Sequence, residues 1–384
     1  MDEGAPLTAG KATVGRRRWP VLLLARELGL GGTERQLAET ALALDRARFA
    51  PHVACLRAGG FREAELRQAG IPVIELGVRS LVSASALTGA LRLGRYLARH
   101  EIRLVHTFDV PLDLFGVPVA RLFRVPVVLS SQRAHRTLTP GATRHLLRLT
   151  DRIADGIVVN SRSVMRELVA HDAVPQSQIH LAYNGIDTRV FCREGAAVPS
   201  PWPGAVVIGI VCALRPEKGL LLLLDAFARV RSSRPETGLL IVGSGPMQPE
   251  LEARAASLGL GAACRFPGAV RNVAEWLRVM DIFVLPSLSE ALSNSLMEAM
   301  ACGCCAIAAD TGGNPELVQN GETGLLFPAG DSAALVGRLE RVLAGRELRG
   351  RLAANGARLM LERFNREAAA RRMGQIYAGF LGEA

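Results

Sequence analysis

From Trp19 onward, short apolar runs of strand length alternate with longer stretches of helical periodicity, and the alternation occurs twice. That is the pattern of βαβ units on a parallel sheet, where each strand is buried on both faces and each return needs a crossover helix. The first series predicts strands over 20–25, 52–56, 73–76, 103–107, 126–130 and 156–160, with helical patterns between them that include 34–44, 86–100 and 162–170. Three prolines in Val198-Pro199-Ser200-Pro201-Trp202-Pro203-Gly204 then forbid a continuous helix or a central strand. The second series predicts strands over 205–213, 238–242, 264–267, 282–286, 305–309 and 324–327, and helices at 219–231, 249–258, 295–302 and 333–343. Beyond Arg346 the pattern is helical to the end.

The expected organisation follows. Residues 1–18 are a flexible N-terminal segment, 19–198 a first Rossmann-like domain, 199–204 a linker, 205–365 a second Rossmann-like domain, and 366–384 a C-terminal helix packing back on the first domain. The fold class is α/β, two doubly wound sheets facing across a cleft, and ligands of such sheets bind at the strands' carboxyl ends.

Composition narrows the function classes. A hydrophobic fraction of 49% and a charged fraction of 21% argue for a folded chain, and the net charge of +10 favours phosphorylated ligands, anionic membrane surfaces or polyanions. Aromatics are 5%, Arg is spread over many helices and no recognised nucleic-acid motif is present, so a basic nucleic-acid-binding protein is the weaker reading. The basic Arg16-Arg17-Arg18 is followed by an apolar run of strand length only, so neither a secretory signal nor a membrane span is expected. The seven cysteines have no disulfide framework, and Cys302, Cys304 and Cys305 lack a Cys-x-x-Cys pair or a nearby His. They read as buried thiols in a cytoplasmic protein, attached at most to a membrane surface, with no metal site.

The most informative stretch follows the strand at 282–286. Glu290 falls on a strand-to-helix loop, Ser293, Asn294 and Ser295 fall at a helix N-terminus, and Glu298 falls in that helix's second turn. Free N–H groups at the helix start suit a diphosphate, Glu298 is placed to accept from a ribose diol, and Glu290 to hold sugar hydroxyls. Arg215 and Lys218, in Leu214-Arg215-Pro216-Glu217-Lys218-Gly219, stand at another strand end beside a helix start, where two cations suit a diphosphate. Gly31 and Gly32 after the first strand, and Gly243 after the strand at 238–242, permit close backbone approach to a ligand.

Glu290 and Glu298 reproduce the Glu-x7-Glu signature of retaining glycosyltransferases with the GT-B fold, and the surrounding sequence resembles glycosyltransferase family 4. Glu298-Ala299-Met300-Ala301-Cys302-Gly303 and Gly312-Gly313-Asn314-Pro315-Glu316-Leu317-Val318 match as well, as do Gly243-Ser244-Gly245-Pro246 and Asn184-Gly185-Ile186-Asp187, the last read as a hinge or packing element. The resemblance covers nearly the whole chain and is strongest over 209–327. It implies an acceptor domain at 19–198, a donor domain at 205–365, and transfer of a sugar from a nucleoside-diphosphate donor to a hydroxyl on a glycan, lipid-linked or small-molecule acceptor with retained configuration and no cofactor. Metal independence is expected because Arg215, Lys218 and the helix N-terminus can replace a cation and no Asp-x-Asp motif stands at a strand end. The segment of Arg215 and Lys218 would bind the donor phosphates.

Glu290 either acts as nucleophile or positions sugar hydroxyls while the acceptor attacks from the leaving-group face; the family pattern favours the second. A nucleotide-sugar epimerase of the same fold is the nearest rival. Many relatives carry a His after the fifth strand, where this chain reads Leu129-Ser130-Ser131-Gln132-Arg133-Ala134-His135, so Gln132, Arg133, His135 and also His106 are candidates for contact with the sugar. Cys305 stands where relatives usually have Pro.

Overall fold

The computed structural model describes residues 18–29, 31–57 and 59–382; apart from Arg18, the expected N-terminal segment lies outside them, as does Leu30 beside the glycine pair. The first sheet contains β1 (Trp19–Ala25), β2 (Phe49–Cys55), β3 (Val73–Glu75), β4 (Leu104–Thr107), β5 (Val127–Gln132), β6 (Gly156–Val159) and β7 (Ile179–Leu181), all parallel, in the order β3-β2-β1-β4-β5-β6-β7. The second contains β8 (Val206–Val211), β9 (Thr237–Val242), β10 (Cys264–Gly268), β11 (Ile282–Leu285), β12 (Cys305–Asp310) and β13 (Leu325–Pro328), again parallel, in the order β10-β9-β8-β11-β12-β13. In each sheet the order reverses beside the first strand, which opens a crevice at the carboxyl ends.

Burial on both faces explains why these strands read as unbroken apolar runs. Along β1, Val21, Leu23 and Ala25 enter the core under the helices Gly32–Ala43 and Arg366–Leu381, while Leu22 and Leu24 enter the core of the opposite face. Each fully buried Leu contributes roughly 1.5–3 kcal/mol. The pattern did not foretell β7: His180 in the middle of its three residues breaks the apolar run, and they follow Pro175 and a 3-10 turn.

The chain crosses between domains at a different place from the one composition indicates. Ile186 already lies in the core of the second domain, and Arg278 of that domain donates to the carbonyls of Val190, Cys192 and Ala196. Trp202, inside the proline-rich segment, packs on the same core and donates from Nε1 to the Ala262 carbonyl at 2.8 Å. The crossing is therefore at Asn184-Gly185-Ile186-Asp187 and not at 199–204. Prolines mark where regular structure stops; they do not mark where a chain changes packing partners. A second crossing lies alongside: Ile186 N–H donates to the Phe364 carbonyl at 3.0 Å, and Arg366 N–H to the Ile186 carbonyl at 2.8 Å. The helix Arg366–Leu381 that follows places Met373, Ile376 and Tyr377 in the core of the first sheet.

Candidate functional site

Three strand ends of the second domain build one side of the site. The end of β8 leads to Lys218, the end of β11 to Ser287 and Glu290, and the end of β12 to Gly312 and Gly313. Lys218 Nζ lies 2.6 Å from Glu290 Oε1, which also accepts from Ser287 Oγ at 2.9 Å. Both charged side chains are largely buried, so the pair is better shielded from solvent than a surface salt bridge. The Glu290 carbonyl accepts from Gly313 N–H at 3.1 Å, and Gly312 beside it has φ +55°; a Cβ there would stand 1.6 Å from the Glu290 carbonyl oxygen. Only glycine lets the two loops meet so closely.

Ser293 caps the helix Asn294–Ala301 by accepting from Leu296 N–H at 3.3 Å, and its Oγ lies 3.3 Å from that of Ser295. The Asn294 side chain is engaged elsewhere: Oδ1 accepts from Asn184 Nδ2 at 2.8 Å and from Gln36 Nε2 at 3.2 Å, and Nδ2 donates to the Gly32 carbonyl at 3.3 Å. Gly32 begins the helix Gly32–Ala43, and Gly31 is its N-cap. The glycine pair thus abuts the helix start of the other domain. Glu298 is 2% exposed and pairs with Arg35 from the same first-domain helix. Burial and the neighbouring Arg62 lower the Arg35 guanidinium to about 10, still high enough to stay charged at neutral pH.

Arg215 does not join this group. Its side chain is 63% exposed, with Glu217 4.0 Å away. Gly243, at φ +139°, backs onto the Cys212 carbonyl, to which a Cβ would come within 1.8 Å, so backbone packing alone requires glycine there.

On the first domain the strand-end candidates separate. His106 is fully buried at the end of β4, with Nδ1 2.7 Å from Tyr377 Oη and Nε2 2.7 Å from Ser131 Oγ. Burial lowers its pKa well below the ordinary value. Both nitrogens are used and no surface is left, so the expectation of a sugar contact at His106 is corrected to a structural role. Gln132 is likewise buried: it accepts from Arg136 Nε at 2.9 Å and donates to the Ala134 carbonyl at 2.6 Å. Arg133 donates from Nη1 to Asn184 Oδ1 at 2.9 Å and lies 4.5 Å over the Phe108 ring. His135 reaches furthest, with Nε2 donating to the Glu290 carbonyl at 3.1 Å and Nδ1 to Glu167. The Glu167 carboxylate raises the imidazole above its ordinary value.

Sequence reasoning missed Arg35, Gln36 and Glu316. The Glu316 carboxylate, at the turn after β12, accepts from the N–H groups of Arg162 and Ser163 at 3.0 and 3.1 Å and from Tyr183 Oη at 2.8 Å, capping the first-domain helix Arg162–Asp172 from across the cleft. The available signal was a cluster of polar residues, Glu34-Arg35-Gln36, opening a helix that should face a core. Cys302, Cys304 and Cys305 are buried, and desolvation raises Cys302 and Cys305 to about 12. Among the described residues, no three His, Cys, Asp or Glu gather as a metal would require.

Residues 200–359 match the profile of the glycosyl transferases group 1, and residues 30–190 that of glycosyltransferase family 4. The chain is 27% identical over 293 residues to a sulfoquinovosyl transferase of Arabidopsis thaliana, a match covering 71% of this chain and 56% of that protein. It is 29% identical over 270 residues to a lipopolysaccharide core biosynthesis mannosyltransferase of Rhizobium meliloti, covering 67% of this chain and 73% of that protein. The match to the plant relative thus spans little more than half its length. Among solved structures, Anabaena HepE in complex with UDP and glucose superposes with a TM-score of 0.81 at 21% identity, over 93% of this chain and 99% of the other. The sucrose-phosphate synthase of Thermosynechococcus elongatus superposes with a TM-score of 0.79 at 21% identity, over 96% and 100%. These likenesses give the GT-B fold, and none points to an epimerase.

Proposed function

Because the chain belongs to the group 1 glycosyltransferases of GT-B fold, we propose that it moves a sugar from a nucleoside diphosphate to a hydroxyl of a glycan, lipid-linked or small-molecule acceptor, retaining the anomeric configuration without a metal ion. The observation that carries the reading is the buried Lys218–Glu290 pair standing beside the N-terminus of the helix that holds Glu298. A cation, a run of free N–H groups and two carboxylates at adjoining strand ends match the diphosphate, ribose and sugar of such a donor. HepE was crystallised with UDP and glucose, which supports a nucleotide-sugar donor.

In the reaction the bond from the anomeric carbon to the diphosphate oxygen breaks, and negative charge gathers on the leaving group. Lys218 and the helix N-terminus face that charge, and Arg215 swings in from solvent to join them; such preorganised groups stabilise charge that develops in the transition state. The acceptor hydroxyl attacks from the leaving-group face and yields its proton to the departing phosphate oxygen. Attack and departure on one face keep the configuration. Glu290, restrained by Lys218 and Ser287, holds sugar hydroxyls. Glu298, paired with Arg35, accepts from the ribose. Gly243 lines the donor side.

The reading also includes place. Seven unpaired thiols, five of them buried, suit the reducing cytoplasm. Exposed Leu87, Leu91, Leu146 and Leu149 of the first domain, beside the exposed Arg92, Arg95 and Arg152, suit an anionic membrane surface that would present a lipid-linked acceptor. Nucleic acid has no part in this reading.

The test is incubation with a panel of sugar nucleotides, with and without chelator, followed by NMR of the product. Release of nucleoside diphosphate that survives chelation and a product of unchanged anomeric configuration are expected. An inverted product, or activity that returns only with added Mg²⁺ or Mn²⁺, would sink the mechanism.

A further inference from the structure

Three guanidinium groups enclosed in this protein meet carboxylates. Arg35 meets Glu298, Arg136 is held by Asp151 at 2.6 and 2.9 Å, and Arg366 lies 3.1 Å from both Glu39 and Asp187. Arg133 is different. Among the described residues no carboxylate pairs with it; its hydrogen bond is the one from Nη1 to Asn184, and the Phe108 ring covers one face of the guanidinium. Nε is buried without an acceptor, whereas Nη2 has no partner and is not among the buried atoms. The Nε–Nη2 edge is one of the two that engage a carboxylate, phosphate or sulfonate with two parallel bonds; Arg136 uses the other, Nη1–Nη2, on Asp151. Among the described residues no protein group accepts from the Nε–Nη2 edge of Arg133, Nη2 is its accessible end, and desolvating a cation without a counterion is costly.

Position adds to the argument. Arg133 leaves the carboxyl end of β5, where ligands of such a sheet bind. Asn184, which holds its Nη1, is itself bonded to Asn294 at the start of the donor-side helix, and His135 two residues on touches the Glu290 loop. Arg133 is therefore tied to both halves of the cleft.

We propose that Arg133 is an anion-reading subsite that binds a single carboxylate, phosphate or sulfonate group carried by one of the two substrates. This rests on the transferase reading and deepens it, since it requires that either the donor sugar or the acceptor be anionic. The neutral ring of Phe108 below and Asn184 beside it fix the plane of the fork, so the site selects a charged group by geometry as well as by charge.

The experiment measures binding, so that its failure is distinct from failure of the transferase reading. Calorimetry with wild type, Arg133→Met and Arg133→Lys compares UDP-glucose with UDP-glucuronate, and glycerol with glycerol 3-phosphate in the presence of UDP. The wild type should bind the charged member of one pair at least tenfold more tightly, and that pair identifies the source of the anion. Arg133→Met should bring the ratio close to one, and Arg133→Lys, which keeps a cation without the fork, should restore it in part. Absence of preference in both pairs, or a preference that survives in Arg133→Met, overturns the subsite and leaves the transferase reading standing. A chain that releases no nucleoside diphosphate from any sugar nucleotide fails the transferase reading instead.

Discussion

His135 has an acceptor at each ring nitrogen, the Glu167 carboxylate and the Glu290 carbonyl, so the protonated ring, which donates from both nitrogens, is the form that satisfies both. Its folded value is raised, chiefly by the Glu167 hydrogen bond. A raised imidazole contributes stability that is fully present below the unfolded value of about 6.5 and is lost as pH rises through the folded value. Glu167 is depressed, so its share is lost as pH falls through a value below its ordinary one. Thermal melts of wild type and His135→Asn should therefore differ most in mildly acidic buffer and converge as the pH becomes alkaline. A gap that does not change with pH would contradict the charged bridge. Residues of this kind were legible only in part. Glu290, Glu298 and Lys218 announce themselves through local spacing and neighbours, whereas Gln36 meets Asn294 across 258 positions and Glu316 meets Arg162 across 154, distances over which a single sequence gives no signal.

At the level of elements, the strands were legible because burial on both faces leaves an unbroken apolar run. The short edge strand β7 and the early crossing at Asn184 were not, since neither depends on a periodic pattern. The helix Gly141–Ile153 shows what periodicity can and cannot say. Its apolar and basic residues predict an amphipathic helix, and Leu147 is indeed buried. Yet Leu146, Leu149 and Ile153 are exposed at 51%, 55% and 42%, and Leu87, Leu91 and Leu122 on two other first-domain helices are exposed as well. Arg144 and Arg148 are tied to Asp172, which leaves Arg152 to face outward here. Apolar side chains with outward arginines match the requirements of an anionic bilayer surface. Vesicles rich in anionic lipid should carry the protein in flotation at low salt, and Leu146→Ser with Leu149→Ser should weaken this severalfold. A protein that stays with the soluble fraction at low salt would refute the attachment.

Across the whole molecule, two chain crossings lie side by side, and polar bridges span the cleft around them: Gln36 and Asn184 to Asn294, His135 to Glu290, Arg35 to Glu298 and Glu316 to the helix at Arg162. Four of these five bridges end on the segment 290–298, so the first domain grips the element that would hold the donor. Hydrogen bonds to charged groups contribute about 1.5–3 kcal/mol each, and the donor must compete with some of them when it enters. In the proposed transferase that segment and Lys218 form the nucleotide site. Calorimetric titration of nucleoside diphosphates into wild type, Lys218→Ala and Glu298→Gln tests it directly. Loss of one charged contact in each variant should weaken the best-binding nucleotide by about tenfold or more, or ~1.4 kcal/mol. Wild-type affinity in both variants, each shown to be folded, would place the nucleotide elsewhere and contradict the account.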